Sequence, residues 1–344
     1  MIRQHKSARW FFLLVILHVI VLGAGFFAAY DPAEQDRDRP YVPPMRIHFV
    51  DATGKFHLRP FVYGLRVPEG AFDRYEVDSS QPIPLQFFVT GAPFRLLGVL
   101  PCSRHLFRSE SVRVYLLGTD GYGRDLLSRI LFGGQISLFA GLLAATLSLL
   151  LGTAIGTMSG YFGGSMDGIL MRLAELCMAL PWLYLLFALR AFLALSVSPL
   201  KAFLLIVLAI GILGWARPAR LVRGLALSAK ERDFVRAARG FGASHFYLLR
   251  RHVLPQTRSV VLTQAAILIP QFILAEVTLS FLGIGIPEPT PSWGNLLSSL
   301  QQYSVLASYW WMYLPAAAMV PFFIGYLCLS SSLQDALRTA KIDS

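Results

Sequence analysis

Charge is what this 344-residue sequence has least of: 15% of its residues are Asp, Glu, Lys or Arg, against about 25% in an average soluble domain. With 55% hydrophobic residues and a mean hydropathy of +0.55, an ordinary soluble enzyme of this size is excluded. Cysteine is scarce as well. Cys102, Cys177 and Cys328 are the only three and show no C-x-x-C spacing, so neither a disulfide scaffold nor a zinc or redox motif is available. A phosphate-binding P-loop is also missing, because the single Gly-Lys dipeptide, Gly54-Lys55, is followed by Phe56 and has Phe49 where the upstream glycine belongs. Acidic residues are outnumbered 20 to 31, giving a net charge of +11. Alone that balance suits a nucleic-acid partner, but among long apolar runs Lys and Arg mark the cytoplasmic side of a membrane.

Such runs are present. Trp10 to Tyr30 is 21 residues without a charge, His18 being its one group that titrates near neutral pH, and this is long enough to cross a bilayer. Arg3, Lys6 and Arg9 precede it. The layout resembles a signal peptide, but the run exceeds the roughly 7 to 15 apolar residues of such a segment and Ala28-Ala29-Tyr30 is a poor cleavage site, so an uncleaved anchor is expected. Further runs cover Ile136 to Met158, Leu173 to Leu195, Ala202 to Ala216, Val260 to Ile286 and Trp310 to Ser330. The reading is an all-α polytopic membrane protein with six spans.

Residues 214 to 258 hold ten Lys or Arg against Glu231 and Asp233, which makes this loop cytoplasmic and puts both termini on the same side. Asp31 to Gln135 holds 13 basic and 12 acidic residues, and a segment that long crosses largely regardless of charge. It is therefore placed outside, between spans 1 and 2. Its short aromatic or alternating runs, Met45 to Val50, Pro84 to Val89 and Ser111 to Leu117, predict strands and a small β-rich insertion. The domain reading is thus 1–30 as N-terminus and anchor, 31–135 as external segment, 136–331 as a five-span core with a cytoplasmic loop at 217–258, and 332–344 as a cytoplasmic tail.

Individual residues add detail. Gly152, Gly156 and Gly160 fall on one face of the second span, where a neighbouring backbone can approach closely. Pro181, Pro270, Pro315 and Pro321 lie within spans and predict kinks. Glu276, Glu175 and, near the end of the fifth span, Ser280 are candidates for a translocation path, since intramembrane acids are costly enough to imply function; burial in a structural role is the alternative for Glu276. Arg190 is expected to snorkel to the outer interface. Ser228-Ala229-Lys230-Glu231 has the form of a capping box and predicts a helix starting there. That helix breaks at Gly240 and Gly242, and Ser244 caps a second one ending before Pro255. Small Ala237 and Ala238 with flanking Arg236 and Arg239 suit a docking element; an ordinary solvated basic loop is the alternative. An intramembrane enzyme would need paired carboxylates or a Ser/His or His/Glu constellation at matching depth, and none is apparent. No metal site is expected.

Arg236-Ala237-Ala238, then Gly242, then Leu254-Pro255 keeps the spacing of the EAA-x3-G-x9-I-x-L-P loop, and the chain here resembles the binding-protein-dependent ABC importer permeases. It departs at the Glu, here Arg236, and at the Ile, here His252. Gly118-Thr119-Asp120, Gly123-Arg124-Asp125 and Ser128-Arg129 before the second span are similar to the dipeptide, oligopeptide and nickel branch, as are Gly160 to Gly164, Asp167 to Arg172, Leu279 to Gly283 and Pro291 to Gly294. Residues 87–107 look most like the microcin C and oligopeptide subgroup. The resemblance implies a type I ABC importer transmembrane fold in a bacterial inner membrane, moving peptides or related small solutes by alternating access. Nickel chelates or peptide antibiotics are the alternative cargo. It further implies two ATP-binding subunits that bind the nucleotide, a second permease subunit, an external substrate-binding protein and surrounding lipid, with no cofactor and no nucleic acid bound by this chain. In that scheme Arg236, Ala237, Ala238, Gly242, His252, Leu254 and Pro255 form the ATPase-coupling loop.

Overall fold

The structure is a computed structural model and describes residues 2–68, 75–96, 100–109, 112–181, 184–185, 187–188 and 198–342. The chain divides into two compact units, one of Met1–Leu14, Leu138–Leu279 and Phe322–Ser344, the other of Val15–Ser137 and Ser280–Pro321.

The second unit carries the β structure. Helix α1 (Ile2–Leu22), which belongs to this unit only from Val15 on, ends before Gly23 and is followed by the short α2 (Ala24–Phe27). The expected anchor over Trp10 to Tyr30 is therefore shorter than its apolar run. Within α2, Gly25 lies against the Phe94 ring, where an added Cβ would sit 2.1 Å from Cδ2. Strands β1 (His48–Val50), β2 (Phe56–Arg66) and β3 (Glu76–Pro84) form an antiparallel sheet in that order, and β4 (Gln86–Leu96) pairs with β5 (Leu100–Arg108). The strands expected near 45–50 and 84–89 are present with shifted bounds. The one expected over Ser111 to Leu117 is absent among its described residues, 112–117. There two main-chain N–H groups bond to side chains instead of to a neighbouring strand: Val114 N donates to the Tyr30 hydroxyl at 2.7 Å and Tyr115 N to Met45 Sδ at 3.2 Å. Tyr30, Val42, Met45, Val62, Leu85, Phe107, Val114 and Tyr115 make the buried core around them.

The first unit is helical. Helix α3 (Leu126–Phe162), whose residues up to Ser137 belong to the second unit, starts at Leu126 rather than Ile136, because Asp125 Oδ2 accepts from Ser128 N at 2.8 Å and caps its first turn. It is followed by α4 (Gly164–Ala179), α5 (Pro199–Gly214), α6 (Ala216–Lys230), α7 (Asp233–Gly240), α8 (His245–Leu248), a π-helical turn at Leu249–Val253, and α9 (Leu254–Phe281). Short α10 (Trp293–Ser298) and α11 (Tyr303–Ser308) belong to the second unit, and α12 (Leu314–Ile342) closes the chain.

Among the described residues four helical stretches are long and apolar enough to cross a membrane: Leu126–Phe162, Pro199–Lys230, His245–Phe281 and Trp310–Ala336. Ser7–Leu22 is apolar but shorter. The run from Leu173 to Leu195 falls partly outside the described residues, and Arg190 lies wholly outside them. Pro270 and Pro321 lie inside helices, whereas Pro315 occupies the first turn of α12 and Pro181 follows the end of α4, so neither of these two interrupts a helix.

Small residues set the packing of α3. A Cβ on Gly152 would meet Pro218 Cβ at 2.7 Å, one on Gly156 the Ala219 carbonyl oxygen at 2.4 Å, and one on Gly160 the Arg223 carbonyl oxygen at 2.6 Å. The three glycines thus face α6 backbone to backbone, the close approach that fourfold glycine spacing permits.

Candidate functional site

The basic loop is built on an apolar anchor. Ala226 and Ala229 of α6, Val235 of α7, Leu248 of α8, Val253 and Tyr161 of α3 form one buried cluster, with Ala238 packed against it. The helix expected to start at Ser228 does not: Ser228 lies inside α6, which runs to Lys230, because Val222, Ala226 and Ala229 continue its buried stripe. The next helix starts at Asp233, with extended Arg232 at its N-cap. The turn after α7 is made by Gly242 at φ +83°, a left-handed conformation that other residues adopt only at a cost. Ser244 then caps α8, its hydroxyl accepting from Tyr247 N at 3.3 Å.

The second helix does not end before Pro255. Proline has no N–H and clashes with the carbonyl four residues back, and here the π-helical turn accommodates it, Leu254 N donating to the Leu249 carbonyl. The path from His245 therefore runs on into α9.

The buried side of α7 is Val235, with Ala238 half-buried, while Arg236 and Ala237 are exposed. Arg236 is not left to solvent alone, since its Nη2 lies 2.7 Å from Glu231 Oε2. His252, standing where the motif has Ile, is half-buried with its ring 5.6 Å from those of both Phe234 and Tyr247; Leu254 and Pro255 are half-buried too. Exposed aromatic residues that the sequence reading did not single out complete the surface. Phe241 is 92% and Phe246 72% exposed, beside Phe234 and Tyr247. Large aromatic residues left open among exposed Arg232, Arg239, Arg250 and Arg251 make a surface suited to a partner rather than to water.

The translocation candidates are not gathered into one constellation. Glu276 on α9 is fully buried. Ser280 is buried too, but its Oγ accepts from Ile286 N at 3.2 Å and closes the turn after α9. Glu175 is exposed on α4 and pairs with Arg172 at 3.1 Å. None of the three lines the cavity of about 470 Å³ in the helical unit, whose wall includes Cys177, Met178, Ile210, Arg217, Gln271 and Phe272. Among the described residues no group of three or more His, Cys, Asp or Glu is placed to hold a metal ion, and all three cysteines are free.

A charge cluster in the other unit sets buried Asp120, Arg124 and Arg129 against exposed Glu288. Arg124 Nε meets Asp120 Oδ2 at 2.7 Å and its Nη1 meets Glu288 Oε2 at 2.7 Å, while Arg129 Nη2 reaches Glu288 Oε1 at 2.8 Å. Two arginines balance two carboxylates. Asp125 stands differently: burial pushes its carboxyl up to about 6, against hydrogen bonds from the Ser128 hydroxyl and main chain that favour the charged form. A raised carboxyl binds its proton more tightly folded than unfolded, so its contribution to stability is present below pH about 4 and lost as pH rises through about 6. The expected loss is about 3 kcal/mol. Asp125→Asn, which keeps an acceptor for Ser128, flattens the fall in melting temperature between pH 4 and pH 7, roughly the window between those two values; an unchanged slope would locate it elsewhere.

Residues 152–339 match the family of the binding-protein-dependent transport system inner membrane component. The dipeptide transport system permease protein DppC of Bacillus subtilis (strain 168) is 36% identical over 221 residues, covering 64% of this chain and 67% of that protein. The oligopeptide transport system permease protein OppC of Escherichia coli (strain K12) is 40% identical over 223 residues, 65% of this chain and 72% of its own length. The OppC of Bacillus subtilis (strain 168) is 37% identical over 221 residues, 64% of this chain and 70% of that protein. With its apolar helices and its match over more than half the sequence, the chain belongs to the binding-protein-dependent transport system inner membrane component family, as a multi-pass membrane permease and not an enzyme.

Proposed function

We propose that this chain is the permease subunit of an ATP-driven importer of peptides, crossing the inner membrane six times with both termini in the cytoplasm. Residues 31–135 form the external segment, 136–331 the core with its coupling loop at 217–258, and 332–344 the cytoplasmic tail. Two ATP-binding subunits bind and hydrolyse the nucleotide, a second permease subunit completes the pathway, and an external binding protein delivers the peptide. The peptide cargo is supported by relatives named for dipeptide and oligopeptide transport. Alternating access follows when the ATPase pair closes on the loop and rocks the helices attached to it.

The observation that carries this reading is the loop, whose inner face is pinned by Val235, Leu248 and Val253 while Phe241, Phe246 and Arg236 are presented outward. Purification from the native membrane after gentle solubilisation should recover ATPase subunits with the permease. Their absence in several mild detergents would sink the reading. Gly242→Val is the sharper test. Nothing lies within 4 Å of a Cβ built at Gly242, so a side chain there costs roughly 1–2 kcal/mol of backbone strain and meets only a docked partner. The variant should insert normally yet lose transport per ATP hydrolysed about tenfold or more; unchanged coupling would remove the loop from the mechanism.

A further inference from the structure

A doubly bonded ion pair joins α4 to α6 in the helical unit. Asp167, in the first turn of α4, receives Arg223 of α6 through two parallel bonds, Nε to Oδ1 at 2.5 Å and Nη2 to Oδ2 at 2.6 Å. Ser159 of α3 donates its hydroxyl to the same Oδ1. The side chains are mostly withdrawn from solvent, 15% exposed for Asp167 and 33% for Arg223. Arg223 beside it holds the Asp167 carboxyl below the usual carboxylate range, so the pair stays charged at neutral pH. A fork-to-fork pair fixes orientation as well as distance, which a lysine in place of the arginine would not.

Each partner is tied to a different feature of the helical unit. One turn beyond Arg223, Ala226 and then Ala229 are buried in the cluster that holds α7 and α8, so α6 is packed onto the loop. At the other end of α4, Cys177 and Met178 stand in the cavity wall. The ten helical steps from Asp167 to Cys177 span about 15 Å. Between them, Ala174 shares a buried apolar cluster with Trp215, Ala216 and Ala219, which packs α4 against α6.

We infer that the Asp167–Arg223 pair is the strut through which movement of the docking loop reaches the cavity wall. Asp167 and Arg223 are positioning residues here: they touch neither peptide nor nucleotide and act by making α4 follow α6. The inference rests on the permease reading above, and its test separates the two.

The experiment uses the complete complex in proteoliposomes, with Cys102 and Cys328 replaced by serine and a fluorophore on Cys177. Alanine oligopeptides are the cargo probe. Wild type should take up peptide and show an ATP-dependent change in fluorescence. Asp167→Asn and Arg223→Lys should each lower peptide uptake per ATP at least tenfold and abolish the Cys177 response, with ATP hydrolysis kept within twofold. The reversed pair, Asp167→Arg with Arg223→Asp, should recover part of both. Single variants that keep the uptake ratio and the Cys177 response overturn the strut, as does a parallel loss of ATP hydrolysis in all variants including the reversed pair, which would make the pair purely architectural. Absence of peptide uptake by wild type with the Cys177 response intact would overturn the cargo and leave the strut standing.

Discussion

Gly156→Leu should prevent the helical unit from closing. A Cβ at this position would lie 2.4 Å from the Ala219 carbonyl oxygen and 3.0 Å from Ala219 Cα and C, and the obstacle is main chain inside α6, which cannot swing aside like a long side chain. Overpacking a well-filled core costs about 1–3 kcal/mol and more when backbone must shift, and leucine adds three further carbons to that clash. The melting temperature in mild detergent should fall by roughly 10 °C, or the chain should be lost to proteolysis before purification. Gly224→Ala is the matched control. It lies on α6, the helix that faces Gly156, with nothing within 4 Å of its built Cβ, and replacing an interior helical glycine stabilises by about 0.5–1 kcal/mol. Equal behaviour of the two variants would show that the stripe is not in tight contact.

In the β-bearing unit the largest effect should come from Trp293→Ala. Trp293 is 1% exposed, its indole N–H donates to the Ile130 carbonyl at 3.0 Å, and its main-chain N–H donates to Ser137 Oγ at 3.1 Å. Emptying a site of that size costs about 3–5 kcal/mol. Trp293→Phe keeps most of the ring volume but loses the indole donor, for about 1 kcal/mol. Thermal melting of the three proteins should therefore rank wild type, Phe, Ala, with the larger step between Phe and Ala. A larger step from wild type to Phe would mean that the hydrogen bond, not the packing, holds the site.

Features carried by composition and short-range pattern were legible in the sequence. Four of the six apolar runs locate long apolar helices among the described residues, and Gly152, Gly156 and Gly160 announce a close helix approach because fourfold spacing is a property of one helix face. Gly242 was readable for the same reason: a glycine between two short polar helices marks a left-handed turn. The false helix start at Ser228 shows the limit. A capping box competes with the buried stripe of Val222, Ala226 and Ala229, and burial outweighs a cap worth about 1 kcal/mol. The strand expected over Ser111 to Leu117 fails similarly, since Tyr30, more than eighty residues away, takes the bond that a neighbouring strand would have made. Ion pairs such as Asp167–Arg223 and Arg129–Glu288 join residues 56 and 159 apart, and no local pattern encodes such partners.

The π-helical turn at Leu249–Val253 has a consequence for phase. One residue advances an α-helix by about 100°, so a turn that closes on the fifth residue, as Leu254 does on Leu249, sets everything before it about 100° out of step with everything after it. A helical wheel drawn from His245 through Phe281 assigns the wrong azimuth to one side or the other. The outward bearing of Phe246 and Tyr247 is thereby uncoupled from the inward bearing of Glu276, and each was free to be fixed by its own surroundings.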